Sequence, residues 1–324
     1  MNDKKILVIG GGTGTYTVLS GLKKNFTDIT AVISTMDSGG SSGRLRDEFG
    51  QLPTGDLRQA LVALSKDSSL MRELFSYRYS KGEGLEGHSF GNLFLTALAE
   101  VSGGMEKALE EASRVLNIKG RVLPVTLSDA NLVAEYSDGS VVKGENDIDL
   151  PKHDGKLGIT KLTLDPQPNA YEQTLQAIAE GDLIVIGPGD LYTSLLPNII
   201  VPKIAEAICS SRAKKIYIVN LMTKYGQTYG FKASDFVNEI QKYLGECLDF
   251  ILINNKELPE EIIKHYAAEN DAPVEDDLKD NGYKIIREDF LAQDPIEKTS
   301  GDKLKRSLIR HDSEKLARTI ATLN

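Results

Sequence analysis

A short apolar run that ends in a glycine-rich turn constrains this chain more than any other feature, because it occurs twice near the start. Ile6-Leu7-Val8-Ile9 runs into Gly10-Gly11-Gly12-Thr13-Gly14, and Ile29-Thr30-Ala31-Val32-Ile33 leads into Asp37-Ser38-Gly39-Gly40-Ser41-Ser42-Gly43-Arg44. Short runs of this kind read as strands buried on both faces, as in a parallel sheet. Glycines let the backbone turn sharply and expose its N–H groups, which attract phosphate at the start of a helix. Two such turns on consecutive strands predict a nucleotide-sized ligand at one edge of the sheet.

The rest of the chain repeats the alternation. Helical periodicity covers Thr15 to Asn25, Leu57 to Ser65, Ser69 to Tyr79, Ser89 to Val101 and Met105 to Leu116. The Gly/Ser segment from Ser38 to Gly50 reads as a long loop. From Arg121 to Leu164 the pattern shifts to short strands and turns, with Asp138-Gly139 as a hairpin signal, so residues 121–164 are expected to form a small antiparallel β insertion. Strands then alternate with helices again: Leu183–Ile186, Lys215–Asn220 and Phe250–Asn254, followed by a weakly patterned acidic stretch from Asp271 to Thr299 and a terminal helix near Ser313 to Leu323. The expected fold class is α/β: one Rossmann-like three-layer sandwich over residues 1–324, with a mostly parallel central sheet and the small antiparallel insertion. Ligands of such sheets bind beyond the carboxyl ends of the strands.

The 324 residues carry a formal charge of −9, which argues against bulk binding to nucleic acid or to a membrane surface. No apolar run approaches membrane-spanning length. Met1-Asn2-Asp3-Lys4-Lys5 leads straight into the first strand, so a signal peptide is not expected and a cytoplasmic protein is. Cys209 and Cys247 sit in apolar helical contexts and read as packing residues rather than a disulfide.

Candidate ligand contacts cluster at strand ends. Gly10 and Gly12 fit two positions of a dinucleotide fingerprint, but Thr15 stands where its third glycine belongs. Gly11, Gly12 and Thr13 are expected to hold phosphate. Asp37, at the second strand's end, is placed to accept ribose or sugar hydroxyls. Ser38 and Arg44 offer further anion contacts, the guanidinium by bidentate bonding. Gly39-Gly40-Ser41-Ser42-Gly43 spells a nucleophile elbow, but arginines follow it and no histidine pairs with an acid, so Ser41 is not read as a nucleophile. Asp56, in Pro53-Thr54-Gly55-Asp56, is either a helix cap or a carboxylate aimed at a ligand, and it is the candidate catalytic residue should there be one. His88 and Asn92 stand near that task. Gly187-Pro188-Gly189-Asp190 repeats the first turn, followed by Ser194, and Asn220 and Lys224 follow the next strand. The basic stretch Lys303 to Asp312 reads as a solvated face or as a clamp over an anion. No metal site is assigned. Asp56 and Asp190 could hold a hard cation such as Mg2+ together with a diphosphate, though no dedicated ligand cluster is visible.

Taken together, Gly10–Gly14, Asp37–Gly43, Pro53-Thr54-Gly55-Asp56-Leu57-Arg58, Ser89-Phe90-Gly91-Asn92, Gly187–Pro197 and Arg310-His311-Asp312 resemble the YvcK proteins, gluconeogenesis factors of the CofD superfamily. The resemblance covers nearly the whole chain. It implies a Rossmann-like core, a cytoplasmic bacterial protein, binding of UDP-sugars such as UDP-N-acetylglucosamine, and roles in gluconeogenic growth, cell shape and wall synthesis. The superfamily's other branch, the phospholactate transferases, moves a phospholactyl group from a nucleotide donor to a deazaflavin precursor. By resemblance Asp56 matches an acid that contacts the acceptor there, whereas Gly87-His88-Ser89-Phe90-Gly91-Asn92 departs from that branch's acceptor segment. The expectation is therefore a nucleotide-sugar-binding regulator rather than an enzyme. A transferase is the alternative, and an NAD-binding oxidoreductase a more distant one. A homodimer and regulatory protein partners are compatible with this reading.

Overall fold

The structure is a computed structural model that describes residues 2–66, 69–293 and 308–323. In chain order the elements begin with β1 (Asn2–Gly10), α1 (Gly12–Asn25), β2 (Phe26–Ile33), α2 (Gly40–Phe49), α3 (Gly55–Leu64), α4 (Ser69–Ser76), α5 (Phe90–Ser102), α6 (Met105–Val115) and β3 (Arg121–Pro124). Next come β4 (Asn131–Tyr136), β5 (Val141–Lys143), α7 (Glu145–Asp149), β6 (Ile159–Asp165), α8 (Glu172–Glu180) and β7 (Leu183–Ile186). A π-helical turn (Leu191–Leu195) leads into α9 (Leu196–Ile199), α10 (Ile204–Ser210), β8 (Lys214–Ile218), α11 (Ala233–Leu244), β9 (Phe250–Asn254), α12 (Glu260–Ala267), β10 (Lys284–Glu288) and α13 (Ser313–Thr322).

Seven strands form a parallel sheet in the order β10-β9-β8-β7-β1-β2-β3. The apolar runs alternate between its faces. Ile6 and Val8 join Leu183, Val185 and helices α1, α3, α5 and α13 on one side, while Leu7 and Ile9 join Ile184, Ile186 and helices α8 to α11 on the other. Burial on both faces is what makes each central strand read as a continuous apolar run. The chain leaves β1 toward β2 and β3 and later resumes at β7 on β1's other side, so strand order reverses between β1 and β7. A crevice opens at such a divide.

Three expectations are corrected by the fold. The segment from Ser38 to Gly50 is mostly helix α2, not a loop. Its Gly-Ser-Ser-Gly start lacks apolar periodicity, but Ser41, Ser42, Leu45 and Arg46 are buried, and Gly50 ends the helix in a left-handed conformation. Residues 121–124, at the head of the expected insertion, are β3 and pair in parallel with β2 in the main sheet. The antiparallel part is the smaller sheet β5-β4-β6, whose Leu132, Ala134, Tyr136, Ile159 and Leu162 pack into the main core. Finally, Cys209 and Cys247 form a disulfide, with Cα atoms 5.5 Å apart across 38 residues. The end of α10 and the segment after α11 meet only in the folded chain, so no sequence spacing announces the pair. Among the described residues, no helix is long and apolar enough to cross a membrane.

Candidate functional site

A cavity of about 640 Å³ lies over the β1/β7 divide. Its floor is two glycine turns pressed together. A Cβ on Gly14 would lie 2.1 Å from the carbonyl oxygen of Pro188, so only glycine allows the start of α1 to sit against the Gly187-Pro188-Gly189 turn. The first N–H groups of a helix have no partner within it. In α1 one of them, that of Gly12, donates to the Asp56 carboxylate. A Cβ on Gly11 would lie 2.4 Å from Asp56 Oδ2, so the turn's glycines also make room for that acid. After β7, the Asp190 carbonyl accepts from both Ser194 and Leu195 N–H, which opens the π-helical turn and carries Thr193 and Ser194 to the cavity wall.

Asp37 folds back on its own turn, accepting from Gly39 N–H at 2.9 Å and from the Ser42 hydroxyl. Behind it runs a buried relay. Arg58 Nε donates to Asn92 Oδ1 at 2.8 Å, and Asn92 Nδ2 donates to Ser42 Oγ at 3.3 Å. Asp56 stands at the start of α3 but does not cap it. Neither does Thr54, whose hydroxyl is buried without a partner.

The insertion supplies a wall of its own. From α7, Glu145 and Asp149 reach the cavity, with Leu150 and Pro151 beside them. Lys224 Nζ bridges Asp149 and Asp190, at 2.7 Å from the latter, and Asp149 also accepts from Thr193 Oγ1 at 3.2 Å and Gln227 Nε2 at 3.0 Å. The C-terminal strap Ile309-Arg310-His311 closes another side. It is anchored by Ala292 N–H to the Arg310 carbonyl and Asp312 N–H to the Phe290 carbonyl.

This wall is crowded with carboxylates, and their titration shows it. Burial, then the charge of Asp37, pushes Asp56 up to about 7, against the pull of Gly12 N–H and Arg58. Burial likewise raises Asp37, and burial with Asp37 and Asp149 raises Glu145. For Lys224, burial alone would favour the neutral amine, but Asp190 and Asp149 more than offset it and hold the ammonium. Burial lowers His311 to about 4, so its imidazole is neutral near pH 7 despite a bond to the Val219 backbone. Among the described residues no group of three or more His, Cys, Asp or Glu side chains is arranged to hold a metal ion.

Of the residues singled out in the sequence, Gly11, Gly12, Thr13, Asp37, Asp56, Gly189, Asp190, Ser194, Asn220 and Lys224 line this one cavity. Ser38, Arg44 and Asn92 do not. Ser38 ties its turn to α7, its hydroxyl accepting from Asn146 N–H at 3.0 Å. Arg44 is exposed on α2 and donates to the Glu86 carbonyl at 3.0 Å, so it does not back the cavity, while Arg46 is buried against Ala130 and Asp129 and acts on Asp37 through its charge. Asn92 acts on Asp37 only through Ser42. Ser41 Oγ does meet His88 Nδ1, at 3.0 Å, but the pair is buried outside the cavity and pins α2 to the loop before α5. Glu145, Asp149 and Gln227 are cavity residues that sequence reading missed, whereas the strap 309–311 belongs to the basic stretch Lys303–Asp312 that it offered as a clamp. Residues 303–307 of that stretch lie outside the described residues.

Comparison with known proteins agrees with this architecture. The family model for 2-phospho-L-lactate transferase CofD matches residues 6–291. The gluconeogenesis factor of Bacillus subtilis is 42% identical over 327 residues, with 98% of each chain covered. That of Halalkalibacterium halodurans is 41% identical over 315 residues, covering 95% of this chain and 97% of the relative. The crystal structure of a upf0052 family member from Bacillus halodurans superposes with a TM-score of 0.90 at 39% identity and 99% coverage of both chains. The strand order, the paired glycine turns and the full-length matches lead to one conclusion: this chain belongs to the CofD family.

Proposed function

We propose that the cavity over the β1/β7 divide binds a nucleoside diphosphate sugar of the UDP-N-acetylglucosamine class, and that the protein is a ligand-responsive regulator rather than a turnover enzyme. The observation that carries this reading is the meeting of two unlike walls in one cavity. On one side are the helix start and glycine turns suited to a diphosphate, and on the other the carboxyl groups of Asp37, Glu145 and Asp149, whose oxygens can accept hydrogen bonds. Sugar and ribose hydroxyls are donors, and they match such acceptors. Carboxylates so near a diphosphate repel it. The raised Asp56 lessens that repulsion by carrying its proton part of the time at neutral pH. A Mg2+ ion would lessen it further, held by Asp56 and Asp190 with the phosphate oxygens, since this ion needs only one or two carboxylates from a protein. The relatives named gluconeogenesis factors extend the proposal to growth on gluconeogenic carbon sources, and the resemblance to YvcK proteins extends it to cell shape and wall synthesis.

A ligand that binds only the folded state stabilises it by about 2.7 kcal/mol at 100-fold excess over Kd. Millimolar UDP-N-acetylglucosamine is therefore expected to raise the melting temperature by several degrees. No shift with it, alongside a clear shift with NAD, refutes the reading. One observation favours a second reading, group transfer from a nucleotide donor: a carboxyl titrating near 7 beside the phosphate turn suits a general acid or base. That reading requires donor turnover that Asp56→Asn abolishes while ligand binding survives.

A further inference from the structure

Beside the main cavity, over the carboxyl ends of β8 and β9, lies a second hollow of about 380 Å³. The two adjoin, both being lined by Asn220 and Leu221. Its character differs sharply from the acid-walled cavity. Leu221, Leu258, Ile263, Pro273 and Val274 line it, and its charged members Lys256, Glu257 and Glu260 are exposed. Backbone bonds fix the slot's shape: Val274 N–H donates to the Leu221 carbonyl, and Met222 bridges to Pro273. Asn220 stands at the junction. Its Nδ2 donates to the Gly189 carbonyl at 2.8 Å, which fixes the amide's orientation, and its Oδ1 is buried with no partner. The slot therefore begins beside the Gly187-Pro188-Gly189 turn, with the Asn220 amide at the boundary between the two hollows.

We infer that this slot receives the nucleobase of the ligand. The assignment rests on the reading that the main cavity holds a nucleoside diphosphate sugar. A base is the ligand's flat, uncharged part, and its faces gain from covering apolar side chains that are half-exposed without it. Its edge carries an N–H, which is what the unpaired Asn220 Oδ1 requires. The other end of the cavity is dominated by Asp37, Asp56, Glu145 and Asp149, with Leu150 and Pro151 as the apolar residues beside α7, so it suits hydroxyl groups better than a base. The diphosphate thus lies between, on the turns of Gly12 and Gly189, with the sugar toward α7 and the base toward α12.

Photolabelling of the unmodified protein with 5-azido-UDP tests this without any variant. Adducts are expected on residues 256–263 or 272–274, and adducts confined to residues 37–59 or 145–151 overturn the inference. Filling the slot gives a second measure. Ile263→Trp is expected to weaken UDP binding about tenfold or more while inorganic pyrophosphate binds as before. UDP binding equal to that of the unmodified protein contradicts the assignment. A parallel loss of both ligands marks a damaged fold, and the photolabelled residues of the unmodified protein then decide. The slot and the nucleotide reading beneath it fail differently. If the unmodified protein binds neither UDP nor pyrophosphate, the nucleotide reading falls and the slot falls with it. If it binds both but labels elsewhere, only the slot assignment falls.

Discussion

Asp56 shows how a single residue serves this fold. Its carboxylate stands on the first glycine turn, and burial with the nearby charge of Asp37 raises it to about 7. An aspartate in the unfolded chain titrates near ~3.9. The folded value lies above the unfolded one, so the folded state prefers the protonated acid. The stability this gives is complete below about pH 4, is lost as pH rises toward 7, and stays lost above it. Asn keeps an oxygen for Gly12 N–H and has no charge to bury. Asp56→Asn is therefore expected to raise the melting temperature relative to the unmodified protein at about pH 8 and to lose that advantage at about pH 5. A difference that does not change across this range contradicts the assignment of the buried charge. Asp37 was legible as a site residue because it heads a glycine turn just after a strand, and Asp56 because it follows Gly55 at the start of a helix. Glu145 and Asp149 were not, because only the folded chain brings the insertion to that edge.

At the scale of elements, the decisive contact is α1 against the turn after β7. Gly14 and Pro188 meet backbone to backbone, so neither side can swing away as a flexible side chain would. Gly14→Ala must push α1 off the turn. The expected cost is roughly 1–3 kcal/mol, a fall of several degrees in melting temperature, together with weakened nucleotide binding. An unchanged melting temperature would mean that the two turns are not held together as described. The central strands and most helices were readable because their burial imposes a period. Helix α2 was not, because its first turn is Gly-Ser-Ser-Gly and tertiary burial of Leu45 and Arg46 takes the place of propensity. Strand β10 escaped for a related reason: it is a largely exposed edge strand in which only Ile285 and Ile286 pack, one on each side of the sheet, too short an apolar run to announce it.

For the molecule as a whole, the Cys209–Cys247 bond ties α10 to the segment between α11 and β9, far along the sheet from the cavity. Loop-closure entropy for a bridge of 38 residues amounts to about 4 kcal/mol. Reduction is expected to lower the melting temperature, Cys209→Ser to do the same, and reductant to have no further effect on that variant. Nucleotide affinity is expected to survive both. A melting temperature indifferent to reductant contradicts the pairing. At the other end of the molecule, a reversal of strand order, two glycine turns and an insertion wall form one cavity. A crystal structure grown with UDP-N-acetylglucosamine tests that cavity's role most directly. The diphosphate is expected over Gly12–Gly14 and Gly189, with the sugar toward Asp37 and α7. A ligand bound elsewhere, with that cavity empty, would contradict it.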